Sequence, residues 1–285
     1  VSWNVKGLNG PTKRSRILAY LRKLKSEIIF LQETHLRISD QFRLRKPWVG
    51  RIFHSNFDSK ARGTAILIHK NIQFTVSASI MDPQGRYVIV SGSLYHVPVL
   101  LVNVYSPNWD DVSFINKLVS ILPDLNSHCM IFGGDLNTVM DPPLDRSNPR
   151  LLSRSKMAQA LSTFFDQVGA VDPWRFLFPR SKAYSYFSQV HHSYSRIDYF
   201  FIDKSLLPSV EQIDYLPIVV SDHAPVQLDL VCNLRYNERP LWRLNTSLLS
   251  DPEFCTFVST AIDNFLLHNR SESISASTLW ETLKV

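Results

Sequence analysis

Cysteine is scarce in this chain. Cys129, Cys232 and Cys255 are odd in number, far apart and not at metal-ligand spacing. Neither a disulfide framework nor a cysteine-based zinc site is expected, and a reducing compartment fits. No apolar run reaches the roughly 18 residues of a membrane span. No signal peptide opens the chain, so neither membrane attachment nor secretion is expected. Internal repeats and low-complexity tracts are lacking, which excludes solenoid and tail-like architectures. An initiating methionine is lacking too. Val1 opens a stretch that already reads as a strand, so a chain cut from a longer reading frame or shortened at its start is expected.

What is present is ordinary for a globular protein. The 285 residues are 45% hydrophobic and 20% charged, enough for one large core or one domain with an extension. The net charge of +6 suits a polyanionic partner, though it also serves plain solubility.

Residues 1–231 read as one domain. Short apolar runs at 27–31, 64–68, 86–91, 97–105, 128–132, 197–202 and 226–230 are bounded by turn residues. They suit strands buried on at least one face. Helical patterns are fewer. Thr12 is the expected cap of a helix with Ile17, Leu18, Leu21 and Leu24 on one stripe, and Met157, Leu161, Phe164, Phe165 and Val168 make a second stripe. Two packed sheets with helices outside them follow. Residues 232–285 read as a helical linker. A polar connector at 233–240 precedes an amphipathic helix that Ser250 is expected to cap, with Pro252 in its first turn. Phe254, Phe257, Val258, Ala261, Ile262, Phe265 and Leu266 lie on one face of it. Leu279, Trp280 and Leu283 begin another stripe.

Polar residues cluster where the apolar runs end, which is where a rigid scaffold presents side chains to a ligand. Each has a plain reading. Asn4 suits a turn, Tyr105 a core aromatic, Gly133-Gly134 a bend, and Asp222-His223 a surface turn. Asp198 could serve structure alone. Glu33 is more suggestive, because a carboxylate beside buried strand residues is costly unless paired or metal-bound. Asp135 and Asn137 are two apart and project to one side of an extended segment. Gathered in one cleft, Glu33, Asp135, Asp198 and Asp222 would repel one another. A divalent cation and a histidine would resolve that conflict. Oxygen ligands without cysteine suit Mg²⁺, with Mn²⁺ as a substitute, better than zinc.

The ordered set Asn4, Gln32-Glu33-Thr34-His35, Tyr105-Ser106-Pro107-Asn108, Gly134-Asp135-Leu136-Asn137, Arg196-Ile197-Asp198 and Ser221-Asp222-His223 resembles the endonuclease/exonuclease/phosphatase superfamily. Its members include exonuclease III, apurinic/apyrimidinic endonucleases, DNase I, neutral sphingomyelinases and inositol polyphosphate 5-phosphatases. Asn4-Val5-Lys6-Gly7-Leu8-Asn9, Leu144-Asp145-Arg146-Ser147, the stretch 191–198 and Trp242-Arg243-Leu244-Asn245 look most like the endonuclease domain that begins non-LTR retrotransposon polyproteins.

That resemblance implies an α/β fold, a four-layer α/β sandwich of two mostly antiparallel sheets flanked by helices. It implies Mg²⁺-dependent nicking of one DNA strand, leaving 3′-hydroxyl and 5′-phosphate ends. It places Glu33 as main metal ligand with Asn4 and Asp222 near the ion. Asp135, oriented with Asn137, would position or deprotonate the attacking water. His223, held by Asp198, would contact the scissile phosphate, as would Tyr105 and Asn108. A hairpin with its tip at 188–194, carrying His191 and His192, would enter an A/T-rich minor groove, although a solvated loop pair is the plainer reading of those histidines. Ser185, Arg146, Arg196 and Ser221 would bind DNA or its phosphates. The partner is double-stranded DNA, with element RNA and reverse transcriptase reached only through a downstream region that this sequence does not contain. Synthesis in the cytoplasm and action in the nucleus are expected. A DNA-repair endonuclease, a lipid phosphatase and an inactive nucleic-acid-binding remnant are the competing readings.

Overall fold

The computed structural model describes residues 1–57, 60–148, 153–190, 192–231, 246–271 and 274–283. The chain divides into two units, Val1–Leu234 and Arg235–Val285.

In the first unit, strands and helices follow in the order β1 (Ser2–Asn4), α1 (Pro11–Lys23), β2 (Ile28–Gln32), β3 (Val49–Ser55), β4 (Thr64–His69), β5 (Phe74–Met81), β6 (Tyr87–Leu94), β7 (Val97–Tyr105), α2 (Val112–Ser120), β8 (Cys129–Asp135), α3 (Pro142–Asp145), α4 (Lys156–Val168), β9 (Ala170–Val171), α5 (Pro173–Leu177), β10 (Tyr186–Ser188), β11 (Ser193–Ser195), β12 (Asp198–Asp203), β13 (Val210–Tyr215) and β14 (Val226–Leu230). One six-stranded sheet runs β13-β14-β1-β2-β4-β3 and the other β5-β6-β7-β8-β12-β9. Only β1–β2 and β7–β8 pair in parallel; the other pairs within these sheets are antiparallel.

Alternation along the strands sorts side chains into layers. In β4, Ile66 and Ile68 face the second sheet, while Ala65 and Leu67 face Ile17, Leu18 and Leu21 of α1. In β7, Val99 and Leu101 join that inter-sheet core, while Leu100, Val102 and Val104 pack under α2 and α4 with Ile115, Leu118, Met157 and Leu161. Both faces of these strands are covered, so their sequences read as continuous apolar runs. The result is helix, sheet, sheet, helix.

The helix starts differ from two expectations. Gly10 occupies the cap position of α1, with Pro11 at its first position, so Thr12 lies inside the helix. Proline's fixed φ suits that position and its missing N–H costs nothing there. In the second unit Asp251, not Ser250, caps α6 (Pro252–Asn269), accepting from the Glu253 and Phe254 N–H groups at 2.9 and 3.4 Å. A charged carboxylate at a helix N-terminus also gains from the helix dipole. α7 (Ala276–Leu283) follows, covering the stripe that begins at Leu279. The expected connector at 233–240 and Trp242-Arg243-Leu244-Asn245 lie outside the described residues. Among the described residues no helix is long and apolar enough to cross a membrane.

Candidate active site

Topology gathers the polar residues. Because β1 runs parallel to β2 and β7 to β8, all four strands end at one edge of the sandwich. β12 runs antiparallel to β8, so it starts there. Register then sets Tyr105, Asp135 and Asp198 side by side across β7, β8 and β12. In the other sheet Asn4 sits beside Gln32, just before Glu33. The turn before β14 carries His223 to the same edge, tied by the Trp3 indole N–H donating to the His223 carbonyl at 3.0 Å.

A buried amide pair fastens the sheets behind this edge. Asn103 Nδ2 donates across to the Leu31 and Ala65 carbonyls at 3.0 and 2.8 Å, and Gln32 Nε2 donates to Asn103 Oδ1 at 2.7 Å. Gly134 lets β8 approach β7 closely. Its φ is +142°, and a Cβ there would sit 1.9 Å from the Val104 carbonyl oxygen. Non-glycine residues with positive φ also cluster at this edge, namely Lys6, Glu33, His35 and Asn137. Such conformations persist where surrounding structure over-determines them, typically at ligand sites.

The carboxylates are held by specific donors. Asn4 Nδ2 donates to both Glu33 Oε1 (3.0 Å) and Asp135 Oδ2 (2.8 Å). Asn4 Oδ1 meanwhile accepts the Lys6 backbone N–H at 3.0 Å. Asn4 therefore spaces the two carboxylates and stands beside the Glu33 carboxylate, the expected main metal ligand. His35 Nε2 lies 3.1 Å from Glu33 Oε2. Burial raises the Glu33 pKa, but hydrogen bonds from His35, Asn4 and Tyr105 outweigh that and bring it to about 2. The Tyr105 phenol is pushed up by burial and by the Glu33 charge, so it stays protonated. Asp135 Oδ1 accepts the Asn137 N–H at 2.9 Å, and Asn137 Nδ2 donates to the Ser106 carbonyl at 2.9 Å.

Asp198 and His223 form a buried pair, Nδ1 to Oδ2 at 2.8 Å, with His223 Nε2 3.9 Å from Asp135 Oδ2. Burial lowers the His223 pKa, yet Asp198 and Asp135 raise it more, leaving it above the ordinary imidazole range. Burial and the Asp198 charge push Asp135 up from the carboxylate range. A base held near neutrality beside a charged imidazole is an arrangement suited to proton transfer.

Other expected residues take different places. Ser185 is fully buried; its Oγ accepts the Ile197 and Asp198 N–H groups at 3.0 and 3.1 Å, and its carbonyl accepts the Ala224 N–H. It fixes strand β12 to the His223 turn. Arg196 is likewise 1% exposed, with Nε 2.8 Å from Asp145 and Nη1 2.7 Å from Asp172. A guanidinium sealed between two carboxylates cannot contact a DNA backbone, so that expectation is corrected. The buried Ser221 hydroxyl donates to the Asn4 carbonyl at 2.7 Å and so holds that turn. Asp222 sits at the rim in a 2.6 Å ion pair with Lys6. Asn108 is exposed just beyond Tyr105; Arg146 is half-buried, its backbone bridged to Ser195. The hairpin pairs Tyr186 with Ser195 and Ser188 with Ser193, so its tip is shorter than expected; His192 is exposed there and His191 lies outside the described residues.

Residue-by-residue reading missed several contributors. Lys6, His35, Gln32 and Asn103 stand inside the motif stretches, but their partners come from distant strands. Tyr186, whose ring lies 4.7 Å from that of His223, is bridged to it by backbone.

The cleft fits a hard cation. Ligand atoms of Asp135, Asp198 and His223 lie within 4.8 Å of one another. Asp198 Oδ1 is buried with no donor among the described residues. The Glu33 carboxylate is one-fifth exposed, which leaves it an open side. Carboxylate oxygens gathered at this edge without thiols, with Glu33 open on one side, suit a divalent ion such as Mg²⁺ or Mn²⁺.

Residues 1–223 match the family described as "Endonuclease/Exonuclease/phosphatase family". The chain is 27% identical over 264 residues to the Transposon TX1 uncharacterized 149 kDa protein of Xenopus laevis, a match that covers 90% of this chain and 20% of that protein. This chain thus spans a fifth of the length of that relative. It is 28% identical over 258 residues to an exodeoxyribonuclease of Bacillus subtilis, covering 80% of this chain and 97% of the relative. Among solved structures it resembles the Xenopus laevis APE2 catalytic domain with a TM-score of 0.67 at 22% identity, over 80% of this chain and 90% of the other. That likeness establishes the four-layer fold.

Proposed function

This chain belongs to the endonuclease/exonuclease/phosphatase family, and from that premise we propose that it is a divalent-metal-dependent endonuclease that nicks one strand of DNA. The observation that carries this reading is the convergence of Glu33, Asp135, Asp198 and His223 at one sheet edge, Asn4 joining Glu33 to Asp135 and His223 joining Asp135 to Asp198.

The groups that would hold Mg²⁺ are the open side of Glu33, with Asn4 beside it and Asp222 with its Lys6 partner at the rim. Bound there, the ion would supply charge neutralisation to the phosphate and the departing 3′ oxygen. The chain's own residues do the rest. Asp135, fixed by the Asn137 N–H and by Asn4, orients the attacking water and takes its proton at Oδ2. His223 keeps its Nδ1 proton on Asp198, so Nε2 faces the cleft as a charged donor for the phosphoryl oxygens. The protonated Tyr105 phenol and exposed Asn108 add neutral donors along the strand. Such preorganised donors stabilise developing charge without reorganising. The products are 3′-hydroxyl and 5′-phosphate ends.

The transposon relative favours an element-borne enzyme whose 3′-hydroxyl primes reverse transcription in the nucleus. Arg235–Val285 would then lead toward a reverse transcriptase and its RNA. A repair role is the second reading, favoured by the match to nearly the whole length of the bacterial exodeoxyribonuclease.

Supercoiled-plasmid nicking in Mg²⁺ and in EDTA tests the proposal, with the nicks then mapped. Asp135→Ala and His223→Ala should abolish nicking while the fold survives; parent-like nicking by either variant refutes these roles. Cleavage of abasic duplex well above intact A/T-rich duplex would favour repair.

A further inference from the structure

Trp109 is 55% exposed. A single exposed aromatic is normal on a protein surface. What sets this one apart is how tightly it is held and where. The two residues after it each bind the start of a different helix. Asp110 accepts the Lys156 and Met157 N–H groups at 2.9 and 2.7 Å, at the start of α4. Asp111 accepts the Phe114 N–H at 3.1 Å, capping α2, and the Trp109 side chain lies beside it. The Arg86 guanidinium lies over the Trp109 ring at 5.6 Å and over the Tyr105 ring at 4.9 Å. Arg86 is itself fixed by its bond to the Ser106 carbonyl at 3.2 Å. Tyr105 in turn touches Glu33.

A rigid indole therefore stands one guanidinium away from the residue that contacts Glu33. Arg62 lies close enough to Arg86 for the two charges to repel, while the neighbouring Asp110 and Asp111 carboxylates are engaged at the starts of α4 and α2. A phosphate backbone laid there would relieve that repulsion. A rigid aromatic beside a basic track is how proteins bind nucleotides whose bases are free, because every base offers a π-face. Bases within an intact duplex have both faces covered by their neighbours.

We infer that Trp109 is a stacking platform for an unpaired nucleobase of the DNA strand, giving this nuclease a preference for DNA that is unpaired beside the cut. This rests on the DNA-cleaving reading above. The test uses the full chain and two labelled DNAs, a fully paired duplex and the same duplex with a short unpaired stretch. Binding is read by fluorescence anisotropy in EDTA, and nicking is read separately in Mg²⁺. The parent should bind the partly unpaired DNA more tightly. Trp109→Ala should weaken that binding by roughly 5- to 150-fold and leave the paired duplex nearly unaffected, and Trp109→Phe should recover most of the loss. If Trp109→Ala binds both DNAs like the parent, or loses equally on both, the platform is wrong. If the anisotropy pattern holds while the parent cuts neither DNA in Mg²⁺, the cleavage reading falls and the platform stands.

Discussion

Replacing Arg196 by methionine separates two roles for that residue. Methionine keeps much of the stem and removes the charge. In the folded protein Arg196 donates to Asp145 Oδ1 and Oδ2 at 2.8 and 3.1 Å and pairs with Asp172 at 2.7 Å. Its carbonyl accepts the Tyr199 hydroxyl at 2.6 Å, and its guanidinium lies 4.6 Å from that ring. The variant leaves Asp145 fully buried with Arg175 as its remaining cation. Breaking a buried pair from one side costs about 3–5 kcal/mol, because a charge is left uncompensated. For a domain of this size that lowers the melting temperature by roughly 6–20 °C. A surface arginine would change stability by less than about 0.5 kcal/mol. Were it a DNA contact, its loss would instead flatten the salt dependence of binding by roughly one phosphate. Differential scanning calorimetry with and without Asp145→Asn is the assay, and the double variant should lose less than the sum of the two single losses. An Arg196→Met protein that melts like the parent and binds DNA with a flatter salt dependence would refute this reasoning.

Glu33→Gln should weaken Mg²⁺ binding by about 100-fold or more, beyond the roughly 10- to 100-fold typical of losing a group that only supports a ligand; calorimetric titration with Mg²⁺ checks it, and parent-like affinity would remove Glu33 from the ion. Asp198→Asn should move the alkaline limb of the pH–kcat/KM profile to lower pH. His223 carries its proton above the ordinary imidazole range largely because of Asp198, so activity that needs the charged ring is lost as pH rises through that raised value, and sooner once the charge is gone. An unchanged limb would count against His223 as the charged donor. Gly134→Ala should cost about 4 kcal/mol or more, since its Cβ collides with the Val104 backbone; a urea midpoint within error of the parent would contradict the close strand approach.

Much of the site was legible before the fold was known. Asp135 and Asn137 announce themselves by their spacing after an apolar run, and Glu33 by standing where a buried strand ends. Strands β3, β5 and β13 were not foreseen, because their burial is partial and their alternation is diluted by polar residues such as Arg51, Ser77 and Gln212. The burial of Arg196 and Ser185 is hidden in the sequence for a different cause. A basic or hydroxyl side chain next to a catalytic motif looks the same in sequence whether it faces the ligand or the core.

Sequence alone determined which segments could be strands buried on both faces, where they stop, and that their ends carry oxygen ligands without thiols. Residue chemistry and local periodicity are enough for that, since both are properties of neighbours in the chain. Only the tertiary structure decided that Asn4 turns its amide nitrogen toward Glu33 and Asp135, that Arg196 belongs to Asp145 and Asp172, and that Trp109 stands clamped above Arg86. Those facts depend on sheet register and on pairings across as many as 131 positions of chain, and no local pattern encodes which distant partner a side chain will meet.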